Sequence, residues 1–275
     1  MTSRPVADLI ATARQGGLGA FNVITIEHAE AIAEAAEAAK RPVLLQLSEN
    51  TVRYHGDPAP IALACLRIAA DSDADIAVHL DHATSFELIR TAVDLGIGSV
   101  MYDGSTLDYA ENVSATADIV RWCHDREVFV EAELGEVGGK DGAHTPGVRT
   151  DPDEAVEFVA ATGVDALAVA VGSSHAMQTR TAELDNDLIA RLAAKVPVPL
   201  VLHGSSGVSD AGLRAAVEHG MTKINIATRL NVVATEAIRT ALADSPTIAD
   251  PRRYLRPARD AIRSEVEHLL RVLAG

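Results

Sequence analysis

With 275 residues, 48% of them hydrophobic and 23% charged, the chain can bury a substantial core and is not of the disordered type. A net charge of −15 argues against a nucleic-acid partner, which needs a basic face, and requires any anionic substrate to be held by local features such as helix N-termini. Cys65 and Cys123 read as buried free thiols, no run reaches the roughly 20 apolar residues of a membrane span, and the N-terminal MTSRPVADLI has no signal-peptide core; the expected setting is the cytoplasm.

A beat of strand and helix runs from end to end. Ala20–Val23 reads as a first strand and Glu27–Lys40 as an Ala/Glu-rich helix of strong propensity. Pro42–Ser48 is a second strand, followed by a helix from Pro58 to Ala70 with proline in its first turn. Ile76–His82 is a third strand, and Ser85 caps the helix that runs to Leu95. Ser99–Asp103 is a fourth strand, Leu107–Asp125 a long helix, and Val128–Leu134 a fifth strand that alternates apolar and acidic residues. A Gly-rich loop, Gly135–Thr150, leads to a helix at Asp153–Thr162. A sixth strand, Ala166–Gly172, is followed by a helix at Asn186–Lys195; a seventh, Pro199–His203, by a helix at Ser209–His219 with Ser209 as cap. Lys223–Ala227 is an eighth strand, Arg229–Ala243 a helix, and the tail from Asp250 to Gly275 is helical.

Eight short strands rich in Val, Ile, Leu and Ala, each followed by a helix, predict an α/β fold: a (β/α)8 TIM barrel spanning 1–275 as one domain, with a C-terminal helical tail. An open doubly wound sheet would carry G-x-G-x-x-G after its first strand, and none is there.

Catalytic groups in such barrels sit at the C-terminal strand ends. Those ends are Asn22, Ser48, Asp81–His82, Asp103, Glu133, His175, His203 and Asn225, nearly all polar on apolar strands. His82, His175 and His203, from strands three, six and seven, read as a Zn²⁺ site with an open fourth position, and Asp81 as the acid/base beside it. His79, one step inside, reads as barrel core, and the histidines in helices and loops read as ordinary, with His144 in the Gly-rich loop left open. In a regular strand Asp81 and His82 point to opposite faces, so both reach the site only if the extended run breaks there. The Gly-rich turn His203–Gly207 and the step from Asn225 to Thr228 into a helix read as an anion site, which points to a phosphorylated substrate.

The stretches HLDHATS (79–85), MYDGSTLDYAEN (101–112), VEAELGEVGG (130–139), LAVAVGSSH (167–175), LVLHGSSG (200–207) and KINIAT (223–228) resemble the class II, zinc-dependent ketose-bisphosphate aldolases, in order and over almost the whole chain. The resemblance is to the branch that includes the tagatose-bisphosphate aldolases. It implies zinc on His82, His175 and His203. It makes Asp81 the acid/base at the C4 hydroxyl, and Glu133 an alternative ligand or supporting acid near the metal. Gly204, Ser206, Asn225 and Thr228 would hold the phosphate of the dihydroxyacetone-phosphate half, joined by Gly172 and Ser173. Asn22 and Ser48 would line the pocket. It also implies a monovalent cation (Na⁺ or K⁺) near the phosphate, a homodimer or homotetramer, and no Schiff-base lysine.

The chain departs from the family pattern at several points. Ala176 stands where relatives carry glycine after the histidine, which matters if the backbone there needs φ > 0. Arg180 stands near a family lysine, Asp141 is left to exchange the proton with the enediolate, and Arg229 follows Ala-Thr where relatives often carry an acid. These departures keep another ketose phosphate, or a deoxy sugar-acid phosphate, open as substrate. Beside the aldolase stand two other readings: a non-catalytic stabilising subunit, and another metal-dependent barrel enzyme such as a hydrolase.

Overall fold

A computed structural model of the chain describes residues 5–12, 16–135 and 149–275. Eight parallel strands close into a barrel in sequence order: β1 (Leu18–Asn22), β2 (Val43–Ser48), β3 (Ile76–Ala83), β4 (Ser99–Tyr102), β5 (Phe129–Leu134), β6 (Ala166–Val169), β7 (Leu200–Leu202) and β8 (Met221–Ile226). The expected (β/α)8 barrel is therefore present. Its outer ring is α2 (Ile26–Ala39), α4 (Pro58–Asp71), α5 (Phe86–Asp94), α6 (Tyr109–His124), α7 (Pro152–Thr162), α8 (Asn186–Lys195), α9 (Asp210–Glu218) and α10 (Thr228–Asp244). The tail is one long helix, α11 (Arg252–Leu273), packed on α2 and α10 through Ile262, Val266, Leu269 and Leu270.

The helices begin where the sequence offers a cap. Ser85 Oγ accepts from Leu88 N (3.4 Å) and Ser209 Oγ from Gly212 N (3.1 Å), as expected; Asp57, Asp108, Asp151 and Asp185 cap α4, α6, α7 and α8 in the same way. Two further helices are additions to the expected beat. α3 (Glu49–His55) starts on Ser48, whose Oγ accepts from Thr51 N at 3.2 Å, and stops at Gly56 with φ 78°. α1 (Val6–Thr12) sets Val6, Leu9 and Ile10 against Leu18, Ala20, Leu44 and Ala77, which plugs the N-terminal mouth of the barrel.

Some strand ends fall short of expectation. β6 stops at Val169 rather than Gly172 because Thr150 takes over the backbone: its Oγ1 accepts from Ala170 N at 2.8 Å and its N donates to Ala170 O at 3.0 Å. β7 ends at Leu202, which leaves His203 just past the strand. With one mouth sealed by apolar side chains and buried apolar residues filling the space between sheet and helices, polar groups gather at the opposite, C-terminal mouth. No described helix is long and apolar enough to cross a membrane.

Candidate active site

The break expected between Asp81 and His82 lies inside β3. His82 adopts φ 51°, in the left-handed region, and the pairing of β3 with β4 shifts register between Leu80 and Ala83. An L-residue there costs roughly 1–2 kcal/mol, a strain of the kind that clusters at functional sites. Consecutive side chains can thereby serve one mouth, although the strand itself runs on to Ala83.

Asp81 is 2% exposed and held by two amides: Asn22 Nδ2 donates to Oδ2 (3.2 Å) and Asn225 Nδ2 to Oδ1 (3.3 Å). Asn22 is itself oriented by Gln46 Nε2, which donates to its Oδ1 at 3.1 Å. Burial pushes the Asp81 carboxyl up, but positive charge at His82, His203 and Lys223 and the Asn22 hydrogen bond outweigh it. The group titrates below its ordinary 3.8 and is a carboxylate at neutral pH.

His82, His175 and His203 converge beside it with donor nitrogens within 4.8 Å of one another. Their rings stand edge to face, with centroids 4.6 Å apart for His82 and His203 and 5.1 Å for His82 and His175. Two carboxylates decide which nitrogens face inward. Asp103 Oδ2 lies 2.8 Å from His82 Nδ1, and Glu131 Oε1 lies 2.9 Å from His203 Nε2. An ionised carboxylate only accepts, so each of those nitrogens carries the proton. His82 Nε2 and His203 Nδ1 then point lone pairs at each other across 2.9 Å. Two facing lone pairs at that distance repel unless a cation, either a proton or a metal ion, is shared between them; when neutral, such imidazoles are good ligands for Zn²⁺. The donor set thus fits a metal ion. Glu133, also buried, brings Oε2 to 4.0 Å from both His82 Nδ1 and His203 Nδ1; with His82 and Asp103 it forms a second group able to hold an ion.

The mouth encloses a cavity of about 170 Å³. Its wall includes Asn22, Ser48, Asp81 and the three histidines, together with Ala176, Gly204, Ser206, Asn225 and Thr228. Gly204 has φ 65°, and a Cβ there would lie 2.6 Å from the Ser174 carbonyl carbon, so the loops after β6 and β7 touch backbone to backbone. Ser206 Oγ accepts from Ala227 N (3.3 Å) and Arg229 N (3.2 Å), which leaves its own proton to donate. Ala176 sits at φ 59°, the conformation a glycine would hold without strain.

Other expected site residues lie elsewhere. Gly172 (φ 118°) and Ser173 are not in the cavity wall; the Ser173 hydroxyl is buried and has no hydrogen-bond partner among the described residues. Arg180 is outside the wall, with Nε donating to Val208 O at 2.7 Å and its guanidinium paired with Asp210 at 2.6 Å. Arg229 forms a bidentate pair with Glu265. Asp141 and His144 lie outside the described residues. His79 is buried, with Nδ1 2.7 Å from Ser99 Oγ. Sequence reasoning missed Asn50, Ala227, Gln46 and Glu131; only Glu131 had a visible signal, lying two residues before Glu133 and so on the same face of β5.

A closed parallel barrel that gathers three imidazoles and a buried carboxylate at one mouth defines a (β/α)8 enzyme with a candidate metal site. The chain belongs to the class II fructose-bisphosphate aldolase family, whose profile matches residues 5–275, and is accordingly an aldolase, a carbon–carbon lyase. It is similar to the YdjI aldolase from Escherichia coli K12: 32% identity, 99% of this chain and 97% of that one covered, TM-score 0.86. A candidate fructose-1,6-biphosphate aldolase from Coccidioides immitis is 28% identical over 98% and 96% of the chains, with TM-score 0.89. The fructose-bisphosphate aldolase of Campylobacter jejuni, 20% identical over 99% and 95%, shares the fold with TM-score 0.82.

Proposed function

We propose that the chain is a zinc-dependent aldolase that reversibly cleaves a phosphorylated ketose, of the tagatose or fructose 1,6-bisphosphate type, to dihydroxyacetone phosphate and an aldehyde. The observation that carries this reading is Asp81, a buried carboxylate steadied by Asn22 and Asn225 next to three convergent imidazoles.

In cleavage, Asp81 accepts the proton of the C4 hydroxyl. C4 becomes a carbonyl, the C3–C4 bond breaks, and its electron pair stays with C3 as an enediolate. Zinc, when bound to His82, His175 and His203, supplies Lewis-acid stabilisation of that negative charge. Glu133 stands beside the cluster as an alternative ligand or supporting acid. A proton then reaches C3 to give dihydroxyacetone phosphate; Asp141 is the proposed donor. In condensation Asp81 returns its proton to the new hydroxyl.

The phosphate is assigned to the loops after β6, β7 and β8. Supporting this are the orphaned Ser173 hydroxyl, the spare Ser206 proton, the close-approach Gly172 and Gly204, and the α10 N-terminus at Thr228. Asn225 supports both this loop and Asp81. Ser48 and Asn22 face the aldehyde half, and Arg180 acts by pinning the loop after β6. A monovalent cation near the phosphate, a homodimer or homotetramer, and a cytoplasmic setting complete the proposal.

Ala176 supports a second substrate reading, another ketose phosphate or a deoxy sugar-acid phosphate. Its left-handed backbone carries a methyl group into the cavity wall. The test is condensation of dihydroxyacetone phosphate with a panel of phosphorylated and neutral aldehydes. Product from glyceraldehyde 3-phosphate supports the bisphosphate reading, and its C4 configuration separates tagatose from fructose. Product from another aldehyde alone supports the second reading, and no product from any aldehyde refutes both.

A further inference from the structure

Below the three histidines the barrel interior holds an ion pair away from the cavity. Lys223 on β8 is 1% exposed, and its Nζ lies 2.7 Å from Glu131 Oε2 on β5. The other oxygen of the same buried carboxylate, Oε1, receives His203 Nε2 at 2.9 Å.

Stability does not account for this pair. Two charges lose their hydration on burial, and replacing such a pair by apolar groups often leaves a protein as stable or more so. Barrel interiors are usually filled by apolar side chains, and Ala166, Ala168 and Val201 nearby follow that habit.

The hydrogen bonds give it a use. Glu131 and Asn225 make opposite demands on His203 Nε2. Asn225 Nδ2, at 3.1 Å, is a donor and favours a bare Nε2. The Glu131 carboxylate is an acceptor and favours Nε2–H. The charge-assisted bond is the stronger. It also leaves the Asn225 amide to Asp81. His79 Nε2, 3.9 Å from Glu131 Oε2, is too far to compete. Lys223 holds the carboxylate in place and leaves Oε1 to His203.

We propose that the buried Lys223–Glu131 pair is a positioning device that fixes His203 as its Nε2–H tautomer, turns Nδ1 toward His82, and so sets the zinc affinity of the three histidines. The affinity half of this statement rests on the metal reading above; the tautomer half does not.

The experiment compares wild type with E131L/K223M, which removes both charges together. Side-chain nitrogen NMR of ¹⁵N-histidine-labelled, metal-free protein reads the tautomer, chelator competition reads zinc affinity, and thermal melting checks the fold. In wild type His203 is expected as Nε2–H. In E131L/K223M the carboxylate's claim on that nitrogen is gone while Asn225 Nδ2 still favours a bare Nε2, so His203 is expected to shift to Nδ1–H, with zinc affinity reduced roughly 10- to 100-fold and melting temperature unchanged or raised. Retention of Nε2–H with wild-type zinc affinity in the double variant overturns the proposal. So does His203 found as Nδ1–H in the wild type, a result that needs no variant to fold. Wild-type protein that binds no zinc refutes the metal reading alone, and the tautomer measurement still decides this one.

Discussion

Asp103 Oδ2 lies 2.8 Å from His82 Nδ1, and this one contact makes His82 a usable ligand. Asp103 is itself fixed, because Ser105 Oγ donates to its Oδ1 at 2.6 Å and its backbone N donates to Ala83 O at 2.8 Å. Carboxylates behind ligating histidines typically account for 10- to 100-fold in metal affinity or activity. D103A should therefore weaken zinc binding by about that factor while the barrel still folds. Wild-type zinc affinity in D103A would show that the carboxylate does not orient the ring.

Asp81 and His203 should separate chemistry from metal binding. D81A is expected to keep its zinc and to lose roughly 10²- to 10⁴-fold in cleavage rate. H203A should lose metal and rate together. Metal content measured beside turnover distinguishes the two, and near-full turnover in D81A would remove Asp81 from the mechanism. Since the Asp81 carboxyl titrates below 3.8, an acid limb of activity at higher pH does not come from Asp81.

Ala176 holds φ 59° without the freedom of a glycine. Left-handed backbone costs a non-glycine residue roughly 1–2 kcal/mol, partly offset because glycine gives the unfolded chain more entropy, about 0.4–1 kcal/mol. A176G should therefore be more stable by about 0.5–1 kcal/mol, visible as a rise of a few degrees at most in melting temperature. A lower melting temperature would mean that the methyl group's contacts outweigh the strain.

His28 predicts how stability responds to acid. Burial lowers its pKa below the ordinary 6.5, against smaller opposing effects of Asn231 and Glu27. The unfolded chain therefore takes up the proton first as pH falls. The stability tied to neutral His28 is fully present above about pH 6.5 and is lost on the way down toward its folded pKa. Denaturant melts between pH 7.5 and 5.5 should show that fall, and H28Q should make it shallower. Equal slopes in the two proteins would show that His28 does not contribute.

The barrel was legible because its strands are apolar and their ends polar, a pattern that depends only on the strand period and on burial. Asp81 and the three histidines were legible for the same reason, lying at or after the ends of strands three, six and seven. What stayed hidden depends on contacts across the barrel. Gln46 looks like a strand residue until it meets Asn22, and Glu131 and Lys223, on strands five and eight, become a pair only when the sheet closes. The resemblance put Arg180 near a family lysine and so among the substrate-binding residues, but Asp210 on α9 pairs with its guanidinium. The φ of Ala176 is set by the packing of its loop, and no property of alanine announces it.

The most direct test uses the half of the reaction that no aldehyde choice can obscure. Zinc-loaded protein is incubated with dihydroxyacetone phosphate alone in D₂O, and the C3 protons are followed by NMR. Stereospecific uptake of one deuterium at the hydroxymethyl carbon (C3 in ketose numbering), abolished by a chelator and restored by zinc, is the predicted result. Protein that holds zinc on His82, His175 and His203 yet exchanges no proton would contradict the account.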